Sequence, residues 1–128
     1  MSRPIRVEFD GAVYHVTARG NERRRIFQSD NDRILFLETL RQMVEQFGVI
    51  VHVYCLMPNH YHLVLETPRG NLTRAIGWFQ TTYSIRYNHR HKRSGHLFQG
   101  RFKAHLVEAN AYAQQLVLYV HLNRLRWT

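Results

Sequence analysis

His60 and His62 stand one residue apart in the stretch Tyr54-Cys-Leu-Met-Pro-Asn-His-Tyr-His-Leu-Val-Leu-Glu66. In an extended chain alternate side chains point to one face. The two imidazoles therefore project together, while Tyr61, Leu63 and Leu65 turn the other way. Two imidazoles side by side on a rigid strand make half a site for a divalent metal. Such an ion polarises phosphorus and offsets the charge that develops when a phosphate ester is attacked. By itself the His-x-His pattern is a weak signal, and two surface histidines on an alternating strand read the same. A second pair lies near the end of the chain. Tyr119 and Asn123 are four residues apart, just over one helical turn, and share a face. Tyr112 and Gln115 extend that face. A phenol, with a pKa of about 10, is a poor nucleophile unless its proton is removed or the phosphate is activated. An amide oxygen from Asn123 could complete a metal shell begun by the histidines. The plain alternative is a half-buried tyrosine and a helix-terminal asparagine.

The patterning predicts the elements that would hold these groups. Ala12 to Arg19 alternates as a strand, with Ala12, Tyr14, Val16 and Ala18 on one face and Val13, His15, Thr17 and Arg19 on the other. Gly20 to Arg25 is a charged turn. Ser29 caps a helix to about Phe47, with Asp30 and Asp32 favourable in its first turn. Its apolar stripe is Phe36, Leu37, Leu40, Met43, Val44 and Phe47, and Gly48 ends it. Val49 to Met57 is nearly all apolar and is expected as a central strand. Pro58 and Asn59 turn the chain, and His60 to Glu66 returns as the second arm of a hairpin. Asn71 caps a second helix to roughly His89, with Leu72, Ala75, Ile76, Phe79 and Tyr83 inward. Arg90 to Gly95 follows as a basic loop, Phe102 to Glu108 as a fourth strand, and Asn110 to about Asn123 as a third helix with Ala113, Leu116, Val117 and Val120 inward. The order βαββαβ followed by α is the α+β, ferredoxin-like split βαβ arrangement with an added C-terminal helix. Both long helices then lie on one face of a four-stranded antiparallel sheet, and the third helix can cover the other.

The 128 residues make one domain with 45% apolar content, enough for a core. Lysine and arginine number 18 against 9 acidic residues, a net charge of +9, with nine histidines besides. That balance selects a polyanion partner, and nucleic acid is the usual one. Basic groups cluster at Arg23, Arg24 and Arg25, at His89 to Arg93 including Arg90 and Lys92, at Arg101 and Lys103, and at Arg124 and Arg126, where they can follow a phosphate backbone. Trp78, Phe98 and Trp127 could stack on unpaired bases, although Trp78, inside a helix, reads better as core. His15, His52, His105 and His121 read as structural or DNA-facing rather than as metal ligands. Cys55, the sole cysteine, reads as a small buried hydrophobe. Arg3 to Asp10 is charged rather than apolar, and no apolar run approaches the roughly 20 residues that span a bilayer. The expectation is a cytoplasmic protein with no membrane association.

Taken together, these residues resemble a known family. His60-Tyr-His62 resembles the HUH motif, although its middle position is more often aliphatic. Tyr119-Val-His-Leu-Asn123 resembles the Tyr-x-x-x-Asn/Gln helix of single-tyrosine HUH transposases. Tyr14-His-Val-Thr-Ala-Arg-Gly-Asn-Glu22, Cys55-Leu-Met-Pro-Asn-His60 and Gly95-His-Leu-Phe-Gln-Gly-Arg-Phe-Lys103 resemble the bacterial branch called REP-associated tyrosine transposases. The resemblance covers nearly the whole chain. It implies an enzyme that binds single-stranded or hairpin DNA and cuts and rejoins it beside hairpins. Tyr119 would be the nucleophile, attached to the 5′ end in a phosphotyrosine intermediate, and His60, His62 and Asn123 the ligands of Mg²⁺ or Mn²⁺. Arg19 and Asn21, inside the first matching segment, join the nucleic-acid-binding set, and related small transposases suggest a homodimer. The pattern departs after Asn123, where Arg-Leu-Arg-Trp-Thr128 replaces the usual Asn-Pro-Val-Arg-Ala. Two other readings keep the same fold: a nonenzymatic or domesticated binder of single-stranded or hairpin DNA, and a metal-dependent nuclease using water as nucleophile.

Overall fold

A computed structural model describes residues 8–107. Within them the order is β1 (Ala12–Arg19), α1 (Asp30–Phe47), β2 (Ile50–Met57), β3 (His60–Thr67), α2 (Leu72–His91) and β4 (Lys103–Leu106). The strands form one antiparallel sheet in the order β2-β3-β1-β4. This is the expected α+β, ferredoxin-like βαββαβ arrangement. The expected third helix lies outside the described residues. No described helix is long and apolar enough to cross a membrane.

Alternation along β1 and β3 gives the sheet two unlike faces. Tyr14, Val16, Tyr61, Leu63 and Leu65 are buried in one cluster with Phe36, Leu40 and Met43 of α1 and Ala75, Ile76, Phe79 and Tyr83 of α2. Phe36 is the hub. Its ring meets those of Phe27, Tyr61, Phe79 and Tyr83 at centroid separations of 4.8 to 5.3 Å, mostly edge to face, the arrangement that aromatic quadrupoles favour. Tyr61 is fully buried here, and its hydroxyl accepts a hydrogen bond from Gln80 Nε2 at 3.0 Å. The opposite face carries His15 and Thr17 on β1 and His60 and His62 on β3. Beside them, Cys55 and Val64 pack with Val107, Val13, Val53 and Met57.

Two expectations need correction. The strand from Val49 to Met57 is not central: β2 begins at Ile50 and, among the described residues, is an edge strand paired only to β3. Its apolar run arises because both of its faces are packed, which does not require a neighbour on both sides. A bulge between Val51 and Val53 lets Val51, Tyr54 and Leu56 all serve the helix side. The basic loop also starts later than Arg90, because α2 continues to His91 and ends at Lys92 in a left-handed conformation (φ 53). The reason is Asp32, fully buried in the first turn of α1. Its carboxylate accepts from the Gln28 backbone N–H at 2.7 Å, from His91 Nε2 at 2.8 Å and from Arg90 Nε at 3.2 Å. A buried carboxylate needs such partners, and here they pin the end of α2 to the start of α1.

Candidate active site

The β-hairpin that joins β2 to β3 sets the position of the histidine pair. β1 pairs with β3 so that Arg19 faces His60 and Thr17 faces His62. Beyond β1 the chain meets the segment before β4: Gln99 N–H donates to the Arg19 carbonyl, Asn21 N–H donates to the Leu97 carbonyl, and Gly20 bridges Phe98. Gly20 is required by space. A Cβ there would lie 2.1 Å from the Arg24 carbonyl oxygen, which folds back over it.

These pairings enclose a cavity of about 380 Å³ lined by Thr17, Ala18, Arg19, His60, His62, Gln99, Arg101 and Lys103. Three strands and one loop thus bring two imidazoles and three permanent cations to one place. No carboxylate is among the described lining residues. The field favours an anion, and a phosphodiester is the anion that Arg and Lys usually grip.

The two imidazoles suit a divalent ion. Their ring centroids are 5.1 Å apart. Burial lowers the pKa of His60, with Arg19 nearby adding to the effect. Burial, then His15 and His60, pushes His62 down to about 4. Both are therefore neutral at physiological pH, the form in which imidazole binds metal. Among the described residues no group of three His, Cys, Asp or Glu side chains could hold an ion. The pair therefore supplies two ligands, and a third donor must be of another type or lie elsewhere; Asn123 is outside the described residues.

The depressed values have a consequence for stability. In the unfolded chain these histidines take up protons below about pH 6.5. In the folded chain His62 resists until about 4. Between those values the unfolded state binds more protons, so stability is complete above about 6.5 and drains as pH falls. For His62 alone the loss approaches about 3 kcal/mol by pH 4. Urea midpoints of metal-free protein should fall between pH 7 and pH 5, and His62→Ala should flatten that slope.

Of the residues expected from sequence to bind nucleic acid, Arg19, Arg101 and Lys103 line the cavity. Asn21, Arg23, Arg24 and Arg25 lie in the turn beyond β1, and Asn59 Nδ2 reaches the Arg23 carbonyl. Arg90 is engaged with Asp32, and Lys92 and Arg93 follow α2, away from the cavity lining. Arg124 and Arg126, with Tyr119, Asn123 and Trp127, fall outside the described residues. Phe98 does not serve as a base-stacking platform. It is buried against Tyr61 and Tyr83. Trp78 packs on Phe47 as a core residue. Sequence reasoning missed Thr17 and Gln99 as lining residues, and it missed the contact of His15 Nε2 with His62 Nδ1 at 3.0 Å. Alternation had placed Thr17 and His15 on the face of Arg19, which was the available signal.

The chain holds seven tyrosines. Tyr14, Tyr61, Tyr83 and Tyr87 are buried, and Tyr54 is partly buried; all five belong to the helix-side core. Burial raises the pKa of the Tyr61 and Tyr83 phenols well above the ordinary value. Those five are separated from the cavity by the sheet itself. Tyr112 and Tyr119 remain, both beyond the described residues.

A family model described as transposase IS200-like matches residues 8–123. Among solved structures, a REP-associated tyrosine transposase bound to a REP hairpin superposes with a TM-score of 0.81 at 15% identity, covering 100% of this chain and 76% of the other. A protein described as a transposase from Deinococcus radiodurans R1 superposes with a TM-score of 0.63 at 18% identity, covering 95% of this chain and 98% of the other. At these identities the two structures establish the fold. No match was found among curated proteins.

Proposed function

Because the chain belongs to the IS200-like transposase family, we propose that it cuts and rejoins single-stranded DNA beside hairpins through a 5′-phosphotyrosine intermediate. The observation that carries this reading is the cavity itself, where His60 and His62 share one wall with Arg19, Arg101 and Lys103. The solved structure of similar fold that holds a REP hairpin supports DNA hairpins as the substrate class.

In this reading His60, His62 and Asn123 hold Mg²⁺ or Mn²⁺. When bound, the ion polarises the scissile phosphate and offsets charge in the transition state. The protein's own groups do the rest. Arg19, Arg101 and Lys103 neutralise and orient the phosphate. Tyr119 loses its proton and its oxygen forms the bond to phosphorus. The bond to the departing 3′ oxygen breaks, and that oxygen gains a proton to become a free hydroxyl. Rejoining reverses the exchange with a 3′ hydroxyl as nucleophile, which returns the tyrosine. One phosphodiester is broken for each one made, so the cycle needs no ATP. The resemblance to small transposases adds a homodimer, which sedimentation equilibrium checks.

The test is a denaturing gel of protein incubated with hairpin-flanked single-stranded DNA and Mn²⁺. A covalent protein–DNA band is expected. Cleavage without that band would indicate water as nucleophile, and binding without cleavage would indicate a DNA-binding module. The basic residues predict a second measurement. Affinity for hairpin DNA should fall steeply with salt, with a log–log slope of roughly −0.7 per phosphate neutralised on a single strand, or about −4 for six contacts. Arg101→Ala should make the slope shallower by about 0.7. A salt-independent affinity would mean that these cations are only solvated surface.

A further inference from the structure

Each imidazole of the pair is held at Nδ1 by a neighbour. His60 Nδ1 lies 2.8 Å from Asn59 Oδ1. The orientation of that amide is set independently, because Asn59 Nδ2 donates to the Arg23 carbonyl at 3.4 Å. The nitrogen end of the amide is thus committed to Arg23, and its oxygen end faces His60. An amide oxygen only accepts, so His60 Nδ1 must carry the proton. The lone pair of His60 is then on Nε2.

His62 Nδ1 lies 3.0 Å from His15 Nε2, and the two ring planes are within 10° of parallel. Their centroids are 5.2 Å apart, close to the largest separation that a 3.0 Å nitrogen contact between two imidazoles allows. The nitrogens therefore meet head-on, as in a linear N–H···N bond rather than a stack. A metal between them would need a separation of about 4 Å, twice a metal–imidazole bond. His15 comes from β1, two residues along from Thr17, the residue that faces His62. It is 8% exposed, so its ring is confined by packing.

We propose that Asn59 and His15 are the positioning residues of the histidine pair: Asn59 fixes His60, and His15 fixes His62, each as the Nδ1–H tautomer with Nε2 presented to the cavity. His15 thereby accepts at Nε2 and carries its own proton on Nδ1. Free imidazole side chains rotate and exchange tautomers, whereas a ligand hydrogen-bonded at its other nitrogen is already in its binding form. The inference deepens the metal-site reading above, but the tautomers are a property of the metal-free chain and can be measured without any ion.

The experiment is nitrogen NMR of the full metal-free chain labelled in histidine, followed by Mn²⁺ titration read by the electron paramagnetic resonance of free Mn²⁺. Wild-type protein should show both His60 and His62 as Nδ1–H tautomers. His15→Phe should release His62 into a tautomer mixture and leave His60 unchanged. Asn59→Ala should do the converse. Each should weaken Mn²⁺ binding by about tenfold to a hundredfold. His15→Gln and Asn59→Asp, which keep an acceptor in place, should restore both the tautomer and most of the affinity. That rescue separates positioning from mere packing. An Nε2–H tautomer for either histidine in the wild type, or a tautomer unmoved by loss of its partner, overturns the proposal. If wild-type protein binds no Mn²⁺, the metal reading falls, and the tautomer populations still decide the positioning roles.

Discussion

Tyr119→Phe should abolish the covalent protein–DNA product and all strand cleavage, a loss of at least on the order of a thousandfold. The substitution removes one oxygen and little packing volume, so fold, metal affinity and hairpin affinity should stay as they are. The expectation rests on two independent lines. The spacing of Tyr119 and Asn123 is that of two residues on one face of a helix, as the proposed nucleophile and amide ligand require. The structure separately takes five of the seven tyrosines away from the chemistry, since Tyr14, Tyr54, Tyr61, Tyr83 and Tyr87 belong to the core between sheet and helices. Tyr112→Phe is then the informative control, because Tyr112 is the other tyrosine not placed in that core. Tyr83→Phe is a stability control. It loses the bond from its hydroxyl to the Ile26 carbonyl and should lower the unfolding midpoint while still forming the adduct. The measurement is a denaturing gel with end-labelled hairpin DNA and Mn²⁺. Normal nicking by Tyr119→Phe would transfer the nucleophile to Tyr112 or to water.

Much of this arrangement is written locally in the chain. Period-two alternation in β1 and β3 put His60 and His62 on one face and Tyr61 on the other, because face selection depends only on neighbours two residues apart. The inward stripes of α1 and α2 follow from helical spacing, and Phe36, Leu40, Met43, Ile76, Phe79 and Tyr83 are all in the core. What was not legible depends on which strand lies beside which. The apolar run of β2 reads like a central strand, because face burial and lateral position leave the same composition. Phe98 sits in a polar segment with no sign of its destination. It becomes core only because residues 97–99 run along the end of β1. The same pairing carries Gln99 to the cavity. His15 reaches His62 through the β1–β3 register, which no single segment encodes. Asp32, expected to favour the start of α1, also fixes the far end of α2, and this long-range pair extends the helix past His89.

His60→Ala and His62→Ala should each reduce cleavage by on the order of a thousandfold, the kinetic equivalent of several kcal/mol of metal-derived transition-state stabilisation. Each variant removes one of the two imidazoles that the cavity presents, so Mn²⁺ affinity should fall with the activity. The two losses should not add. Once one ligand is gone the ion is already poorly held, and the double variant should be little worse than either single one. Fold should survive, and metal-free stability should vary less with pH below 6.5 in His62→Ala, because a histidine that resists protonation has been removed. DNA affinity should be largely kept, since Arg19, Arg101 and Lys103 remain in the cavity wall. His52→Ala is the matched control. His52 lies on β2 beside Glu66, outside the cavity lining, and is exposed, so its loss should leave cleavage within about a factor of two, as surface substitutions away from a site usually do. Calorimetric Mn²⁺ titration and single-turnover cleavage of the same samples separate the outcomes. Undiminished Mn²⁺ binding in the double variant would move the ion away from this pair. Lost cleavage with unchanged metal affinity would give the histidines a role in proton transfer instead.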